Sequence, residues 1–221
     1  MNCVGALVEH AKQQTASAIL LNSYLPHFLS QIGKDLGFKL IHISTDCVFS
    51  GKDGGYTETS FRDGDDAYAR SKALGEVIND KDLTIRTSII GPELKQHGAS
   101  LFDFFLKQKG NVKGYSKALW SGVTTLALAQ ALPEFMDKNI CGLYHLTNGE
   151  PISKYNLLKL LHEHVNKSVS ILESDIYVVD KSLKDTRALI RPIPNYNVMI
   201  TDMVSFMRKN VNLYAHYQLG G

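Results

Sequence analysis

The sequence has few of the features that mark secreted, membrane-spanning or nucleic-acid-binding proteins. Its 221 residues include only three cysteines, Cys3, Cys47 and Cys141, which are too few for a disulfide framework and lack zinc-ligand spacing. It has no apolar run of about 18 residues and no signal peptide, so we expect no membrane association and a cytoplasmic location. Its 24 lysines and arginines are scattered among 22 acidic residues, so we expect no nucleic-acid partner.

Apolar residues make up 44% of the chain, which is enough for the core of one large domain. Apolar runs bounded by glycine predict strands, and segments with helical apolar spacing predict the helices between them. This alternation indicates βαβ units and therefore an α/β fold with a doubly wound parallel sheet of the Rossmann type. The predicted strands are 38–44, 83–90 and 142–150, and the predicted helices are 17–37, 67–79, 99–108, 124–136, one beginning at Ser153, and 197–209.

Polar side chains follow each of the three predicted strands, at 44–46, 86–88 and 146–148. Because the carboxyl ends of parallel strands share one edge of a sheet, these side chains should meet at one ligand-binding rim. From about Tyr144 the alternation loosens. We therefore predict a partial Rossmann-like core over residues 1–143, with segments that contribute to a cap, and a mainly substrate-binding cap over 144–221.

Tyr68 and Lys72 lie four residues apart on a predicted helix and should point the same way. A free tyrosine, with a pKa of about 10, is a poor acid or base at neutral pH, but a nearby ammonium group lowers that pKa. Thr45, at the rim, adds a hydroxyl that can bind the same carbonyl or alcohol oxygen. The three side chains suit the reduction of a ketone if a hydride donor is present. A Tyr-x-x-x-Lys pair alone is more often a solvated helix face.

The combination of several stretches resembles an extended short-chain dehydrogenase/reductase of the dTDP-4-dehydrorhamnose reductase-like branch, which acts on nucleotide sugars. The matching stretches cover nearly all of residues 2 to about 165. They read "NCVGA", "LNSYLPHFL", "IHISTDCVFSGKDGGYTE", "YARSKALGE", "IRTSIIGPE", "LWSGVTTLALAQAL" and "GLYHLTNGEPISKYNLLKL".

The resemblance implies reduction of a 4-keto-6-deoxy nucleotide sugar by NADPH or NADH, in deoxysugar and polysaccharide biosynthesis. Tyr68 would be the general acid, with Thr45 and Lys72 as its catalytic partners. The implied cofactor-binding residues are Cys3, Gly5, Asn22, Ser44, Tyr68, Lys72, Thr87 and Ser88. The implied substrate-binding residues are Asp46, Cys47, Trp120 and Arg187. No metal site is expected, because His162 and His164 diverge on their helix.

Two departures from the family pattern bear on sugar specificity. Cys47 stands where an aromatic residue often follows the Thr-Asp pair, and Ile89 stands where a tryptophan is common. Related sugar dehydratases carry Thr-Asp-Glu at this strand end, whereas this chain carries Thr-Asp-Cys, so dehydration is not indicated. An epimerase of the same fold and a non-catalytic sugar-nucleotide-binding or interaction module remain as alternatives.

Enzymes of this family hold the dinucleotide phosphates with a glycine-rich turn, and no such motif precedes Asn2. We therefore expect a fragment, or a misassigned start, that holds the catalytic half and the cap without most of the cofactor half. The other interpretation is a shortened protein with a binding role. An unpaired sheet edge would favour self-association or a homo-oligomer.

Overall fold

The computed structural model describes residues 1–96, 98, 100–165 and 167–217. Its strands are β1 (Ile41–Thr45), β2 (Leu83–Thr87), β3 (Ile89–Ile90), β4 (Gly110–Tyr115), β5 (Ala118–Trp120), β6 (Val123–Thr124), β7 (Gly142–His145), β8 (Ile152–Ser153), β9 (Val169–Ser174) and β10 (Val179–Asp180). Its helices are α1 (Val8–Gln13), α2 (Thr15–Ala18), α3 (Leu25–Leu36), α4 (Ala67–Leu74), α5 (Leu101–Lys107), α6 (Thr125–Asp137), α7 (Lys154–Val165) and α8 (Tyr196–Lys209).

The central sheet is parallel and has the order β1-β2-β7, as the alternation of strands and helices predicted. Thr45 pairs with Thr87 and Arg86 pairs with His145, so the polar strand ends do lie side by side. Asn2 extends the sheet beyond β1 through a parallel bridge to His42. The α/β architecture predicted from the sequence is confirmed, and the polar strand ends meet at one rim as predicted.

Smaller sheets lie beyond this rim and join segments that are far apart in the chain. β4 pairs with β9, and β5 lies between β8 and β10. β3 pairs with β6 directly after the central strand β2. The strands in residues 110–120 therefore pair with strands in residues 152–153 and 169–180, which come after β7 in the chain.

One large apolar cluster joins the central sheet to the helices that cover it. Leu83 and Ile85 of β2, the middle strand of this sheet, are fully buried in it. Met203 and Met207 of α8 are also buried in the cluster. No helix in the described part of the chain is both long and apolar enough to cross a membrane.

The segment before β1 is one nearly continuous helix with a π-helical turn, Ile19–Tyr24, between α2 and α3. Pro26 is the second residue after this π-helical turn, and Gly37 ends the helix in a left-handed conformation. α4 stops at Leu74 instead of continuing to Asn79. The chain leaves the helix at Gly75, so that Glu76 and Val77 enter the interior.

Candidate active site

Tyr68, Lys72 and Glu76 form one stripe that faces β1. The Asp66 carboxylate caps α4 by accepting a hydrogen bond from the Ala69 N–H, which fixes where the stripe begins. Lys72 Nζ donates to the Ile43 carbonyl oxygen at 2.7 Å, and Glu76 Oε1 accepts from Ser44 Oγ at 2.7 Å. The Tyr68 ring is partly buried against a small alanine cluster. These contacts hold the predicted catalytic face of α4 against the carboxyl end of β1.

Thr45 ends β1 and caps the short 3₁₀ turn Asp46–Val48. Its Oγ1 accepts from the Cys47 N–H at 3.1 Å and donates to Asp46 Oδ1 at 3.2 Å. Thr45 and Asp46 are both buried. The turn therefore fixes the Thr-Asp-Cys sequence at the same rim as Tyr68.

A cleft of about 480 Å³ brings most of the predicted residues together. It is lined by Cys3, Val4, Gly5, Ala6, Leu7, Val8, Ile43, Ser44, Thr45, Asp46, Cys47, Tyr68, Lys72, Thr87, Ser88 and Ile89. All three members of the predicted triad are among these residues, together with five of the other residues predicted to hold the cofactor. We call this the catalytic cleft.

Burial governs the ionisation of the two central groups. It raises the pKa of the Tyr68 phenol above its ordinary value, and nearby Cys47 and Asp46 add to the rise while the Thr45 hydroxyl opposes it. Burial also lowers the pKa of Lys72 to about 8, against the attraction of Glu76 and Cys3. The expectation that Lys72 brings the phenol pKa below 10 is therefore wrong for this site. Desolvation is the larger effect, and the phenol is protonated at neutral pH.

A second cavity of about 520 Å³ shares Asp46, Cys47 and Ser88 with the catalytic cleft. Its other walls carry three lysines, four aromatic residues and mainly apolar side chains. They are Lys113, Lys154, Lys181, Tyr115, Trp120, Tyr177, Leu101, Phe104, Gln108, Asn111, Val112, Ala118, Leu119, Leu158 and Val179. The predicted substrate residues Asp46, Cys47 and Trp120 all line this second cavity.

Asp46 lies between the two spaces, and the charges of Lys154 and Lys181 act on it. Burial raises the pKa of the Asp46 carboxyl, and the two ammonium groups oppose that rise. The Lys154 ammonium lies 5.0 Å from the centre of the Trp120 ring. Burial and the Asp46 charge raise the pKa of the Cys47 thiol to about 11, so this thiol is neutral at physiological pH.

Two predicted site residues lie elsewhere. Asn22 is fully buried and does not line the cleft, because its side chain accepts from the Ala6 N–H at 2.7 Å and donates to Ser71 Oγ at 3.0 Å. It holds the walls together instead of meeting a cofactor. Arg187 lines neither cavity, since its Nη1 donates to the carbonyl oxygens of Cys141 and Leu143 at 2.9 and 2.7 Å. Its predicted substrate contact is replaced by a structural one.

Sequence reasoning missed a buried ionic network behind the rim. Arg86, 1% exposed, makes two hydrogen bonds to Glu76, at 2.8 and 2.6 Å, and its Nη1 lies 2.7 Å from His145 Nε2. The signal was present, because Glu76 continues the four-residue spacing of Tyr68 and Lys72. The position of Lys154 in the second cavity was missed as well, because the side chain of the first residue of a helix is usually exposed to solvent.

Among the described residues, no group of three or more His, Cys, Asp or Glu side chains is arranged to hold a metal ion.

Comparison with known proteins identifies relatives of this chain. A family model described as the RmlD substrate binding domain matches residues 6–203. The spore coat polysaccharide biosynthesis protein SpsK of Bacillus subtilis is 30% identical over 174 residues, which are 75% of this chain and 60% of that protein. A dTDP-4-keto-6-deoxy-D-glucose reductase of Streptomyces niveus is 25% identical over 159 residues, which are 68% of this chain and 54% of that protein.

Among solved structures, a dTDP-4-dehydrorhamnose reductase of Bacillus anthracis in complex with NADP superposes with a TM-score of 0.80. It is 19% identical, and the match covers 92% of this chain and 79% of that one, which supports the fold. A hypothetical dTDP-4-dehydrorhamnose reductase from Sulfolobus tokodaii is 27% identical, with a TM-score of 0.73 over 85% of this chain and 71% of that one. The chain spans 60% and 54% of the lengths of the two curated relatives.

Proposed function

Because the chain belongs to the RmlD substrate-binding domain family, we propose that it carries the catalytic and sugar-nucleotide-binding part of an NAD(P)H-dependent reductase of 4-keto-6-deoxy nucleotide sugars. The observation that supports this most strongly is that Thr45, Tyr68 and Lys72 line one cleft, which shares Asp46, Cys47 and Ser88 with a second cavity. A ketone held beside these shared residues would lie close to the Tyr68 phenol. The names of the relatives, a keto-sugar reductase and a polysaccharide biosynthesis protein, agree with this chemistry.

The residues of the catalytic cleft fit a nicotinamide with its ribose. Tyr68 and Lys72 supply polar groups on one wall, and residues 3–8 and 87–89 supply backbone on the others. Either NADH or NADPH is compatible with these residues. When bound, the reduced nicotinamide supplies a hydride to the carbonyl carbon. The remaining steps belong to side chains of this chain.

Tyr68 is proposed to protonate the carbonyl oxygen as the carbon is reduced. Its raised pKa keeps the proton on the phenol at neutral pH, so the group acts as an acid. The Thr45 hydroxyl accepts a hydrogen bond from the Cys47 N–H and donates its one proton to Asp46. When substrate is bound, the hydroxyl can donate to the substrate oxygen instead of to Asp46. The charged form of Lys72 would stabilise the phenolate that remains.

The strand end offers no further acid–base group of the kind that epimerisation or dehydration needs. Cys47 keeps its proton at neutral pH because its pKa is about 11. Asp46 is buried beside two lysines and is better suited to holding a sugar hydroxyl. These properties favour simple ketone reduction over the two related reactions.

The second cavity is proposed to hold the nucleotide, and the segments around it to form the substrate cap. Lys113 and Lys181 supply positive charge for a diphosphate, and Tyr115 and Tyr177 offer flat faces for a base. Asp46 and Trp120 would contact the sugar. The nucleotide sugar would thus extend from the cleft into the cap.

Self-association is proposed through the helical face that precedes β1. Ile19, Leu20, Tyr24 and Phe28 are all exposed large apolar residues on this stretch. Light scattering should show a species larger than the monomer, and Leu20→Glu should shift it toward the monomer. A wild-type chain that is monomeric at high micromolar concentration would contradict this proposal.

Calorimetry followed by turnover tests the function. The chain is titrated with a 4-keto-6-deoxy nucleotide sugar and then incubated with the same sugar and NADPH or NADH, with product analysis by mass spectrometry and NMR. The expected product is the 4-hydroxy sugar with equimolar loss of reduced cofactor. Binding of both the sugar and the reduced cofactor without turnover would favour a binding module, and an isomerised keto-sugar without cofactor consumption would favour an epimerase.

A further inference from the structure

A buried histidine lies behind the catalytic lysine, and the proposed function gives it no role. His42 of β1 is fully buried and points toward α4. Its Nε2 lies 3.5 Å from Lys72 Nζ, and its Nδ1 lies 3.3 Å from the side-chain nitrogen of Asn2. Each ring nitrogen therefore faces a nitrogen that carries hydrogen atoms.

The orientation of the Asn2 amide is fixed by a second contact. Asn2 Oδ1 accepts from the Val4 N–H at 3.0 Å, which leaves Nδ2 facing His42. The Asn2 backbone is also held, because its N–H donates to the Ile41 carbonyl and its carbonyl accepts from Ile43. Nδ2 is only a donor, so it can bond to Nδ1 only when Nδ1 carries no proton.

A neutral imidazole has one N–H group, and this creates a conflict between its two neighbours. With Nδ1 accepting from Asn2, the ring proton is on Nε2 and points at Lys72, where only a neutral amine has a lone pair to receive it. With Lys72 as an ammonium ion, Nε2 must accept, the proton moves to Nδ1, and the bond from Asn2 is lost. Both bonds can form only when Lys72 is uncharged.

We propose that Asn2 and His42 are positioning residues that couple the protonation of Lys72 to the tautomer of the buried imidazole. The Asn2 bond favours the tautomer that pairs with a neutral lysine. Protonation of Lys72 requires the tautomer to change. The Ile43 carbonyl can accept a hydrogen bond from Lys72 whether Lys72 is charged or neutral, so the side chain stays in place when Lys72 gains or loses a proton.

The other groups that face this pair do not remove the conflict. Glu76 acts on Lys72 from the segment after α4, Cys3 acts on it from the first residues of the chain, and His27 of α3 acts on His42. Burial and the Lys72 charge lower the pKa of His42 to about 3, so the ring is neutral wherever the lysine titrates. The ring therefore responds by changing tautomer and not by gaining charge.

The consequence for catalysis rests on the proposed function. Only the ammonium form of Lys72 would stabilise the phenolate left when Tyr68 gives up its proton. Burial lowers the pKa of Lys72 to about 8, so a shift of this equilibrium changes the active fraction near neutral pH. The Asn2–His42 pair would thus lower the upper pH limit of the site, which burial of Lys72 already lowers.

Nuclear magnetic resonance on the 221-residue chain tests the coupling without cofactor or turnover. Lys72 is followed through its side-chain ¹³Cε signal, assigned by comparison with Lys72→Met, and His42 through long-range ¹H–¹⁵N correlations that report which ring nitrogen is protonated. As pH falls through the Lys72 titration, we expect the His42 proton to move from Nε2 to Nδ1 at the same midpoint. An unchanged tautomer on both sides of that midpoint would overturn the proposal.

Two substitutions at Asn2 sharpen the test. Asn2→Ala removes the donor to Nδ1, and we expect the pKa of Lys72 to rise by about half a unit or more, a roughly threefold fall in its acid dissociation constant. Asn2→Asp keeps the shape and accepts from Nδ1–H, so we expect the Nδ1–H tautomer at every pH. Gln14→Ala, which removes an exposed side-chain amide outside the cleft, is the matched control and should leave both readouts unchanged. A Lys72 titration in Asn2→Ala identical to wild type would also overturn the proposal, whether or not the chain proves to be a reductase.

Discussion

At the scale of single residues, Tyr68 shows how two opposing influences decide what a hydroxyl can do. Desolvation raises the phenol pKa, and the nearby Thr45 hydroxyl only partly opposes it. In the open cleft, the phenol therefore holds its proton firmly. Transfer of that proton to a substrate oxygen becomes favourable only when negative charge develops on that oxygen, which is the property required of a general acid in ketone reduction.

Tyr68→Phe should lower the rate of ketone reduction by about 10²-fold or more, since it removes the proposed proton donor. The fold should be little affected, because the ring still packs against Ala6, Ala11 and Ala18. The measurement is kcat with a 4-keto-6-deoxy nucleotide sugar, in the assay in which the wild-type chain turns over. Tyr24→Phe, at an exposed tyrosine, is the control. Near-normal kcat in Tyr68→Phe would show that another group supplies the proton.

Much of the site at this scale was readable from spacing and strand position. The meeting of Thr45, Tyr68 and Lys72 at one rim was predictable, because they come from a strand end and a four-residue helical interval. The position of Arg187 outside both cavities was not predictable, because sequence does not reveal that its Nη1 donates to the backbone carbonyls of Cys141 and Leu143. His42 was missed because no sequence pattern distinguishes a functional histidine inside an apolar strand from one that only packs in the core.

At the scale of elements, the ends of helices and the short strands were the hardest to predict. Residues 67–79 continue the helical pattern, yet α4 ends at Leu74 because the chain must pass Asn22 closely at Gly75. β4 and β9 escaped prediction because their partners are distant in sequence and several of their residues are exposed. Pairing between distant segments is decided by tertiary contacts that no local pattern encodes.

Gly75→Ala should destabilise the chain by about 2 kcal/mol or more, through overpacking. A Cβ at this position would lie 1.7 Å from the Asn22 backbone oxygen, which cannot move without displacing the helix before β1. The backbone of Gly75 has φ of −83°, so the cost comes from the clash and not from backbone strain. Urea denaturation measures the effect, with Leu74→Ala, at the exposed neighbour, as the control. Equal midpoints for Gly75→Ala and wild type would mean that the two segments separate easily.

Asp82 anchors the turn before β2 and links it to α3 and β1. Its buried carboxylate accepts hydrogen bonds from Ser30 Oγ, the Leu40 N–H, Asn79 Nδ2 and Lys81 Nζ. Burial acts to raise the pKa of Asp82, but the hydrogen bonds outweigh it and lower the pKa to about 2. Because the folded pKa is depressed, this carboxylate stabilises the protein above the ordinary carboxyl pKa, and that contribution is lost as pH falls toward 2.

Asp82→Asn should therefore reduce the free energy of unfolding by about 2 kcal/mol at neutral pH. The difference from wild type should shrink between about pH 4 and pH 2, where the wild-type carboxylate becomes protonated. Urea titrations at several pH values measure it, and Asp80→Asn, an exposed neighbour, is the control. A difference that stays constant down to pH 2 would assign the effect to lost packing instead of charge.

At the scale of the whole molecule, two cavities meet at the Thr-Asp-Cys turn. The catalytic cleft is formed mainly by the central sheet, α4 and residues 3–8, and the second cavity by the small sheets, α5 and α7. The alternation of strands and helices predicted the first of these, because it lies at the edge where parallel strands end. The second cavity depends on strand pairing between residues 110–120 and residues 152–180. The sequence therefore predicted that a cap is present but not which strands form it.

A nucleoside diphosphate should stabilise the chain if the second cavity holds the nucleotide. At a ligand concentration of about 100 times Kd, binding contributes about 2.7 kcal/mol, which corresponds to a rise in Tm of roughly 5–10 °C for a chain of this size. dTDP and UDP are compared in a thermal-shift experiment.

Lys181→Met should reduce that rise by more than half at the same ligand concentration, because it removes one ammonium group from the cavity wall while retaining an apolar stem. Lys138→Met is the matched control, since Lys138 lies at the far end of α6, outside both cavities, and is paired with Glu134. A rise that is the same in Lys181→Met and wild type would place the diphosphate elsewhere. A rise lost equally in both variants would show that the effect is general electrostatic screening and not binding in the second cavity.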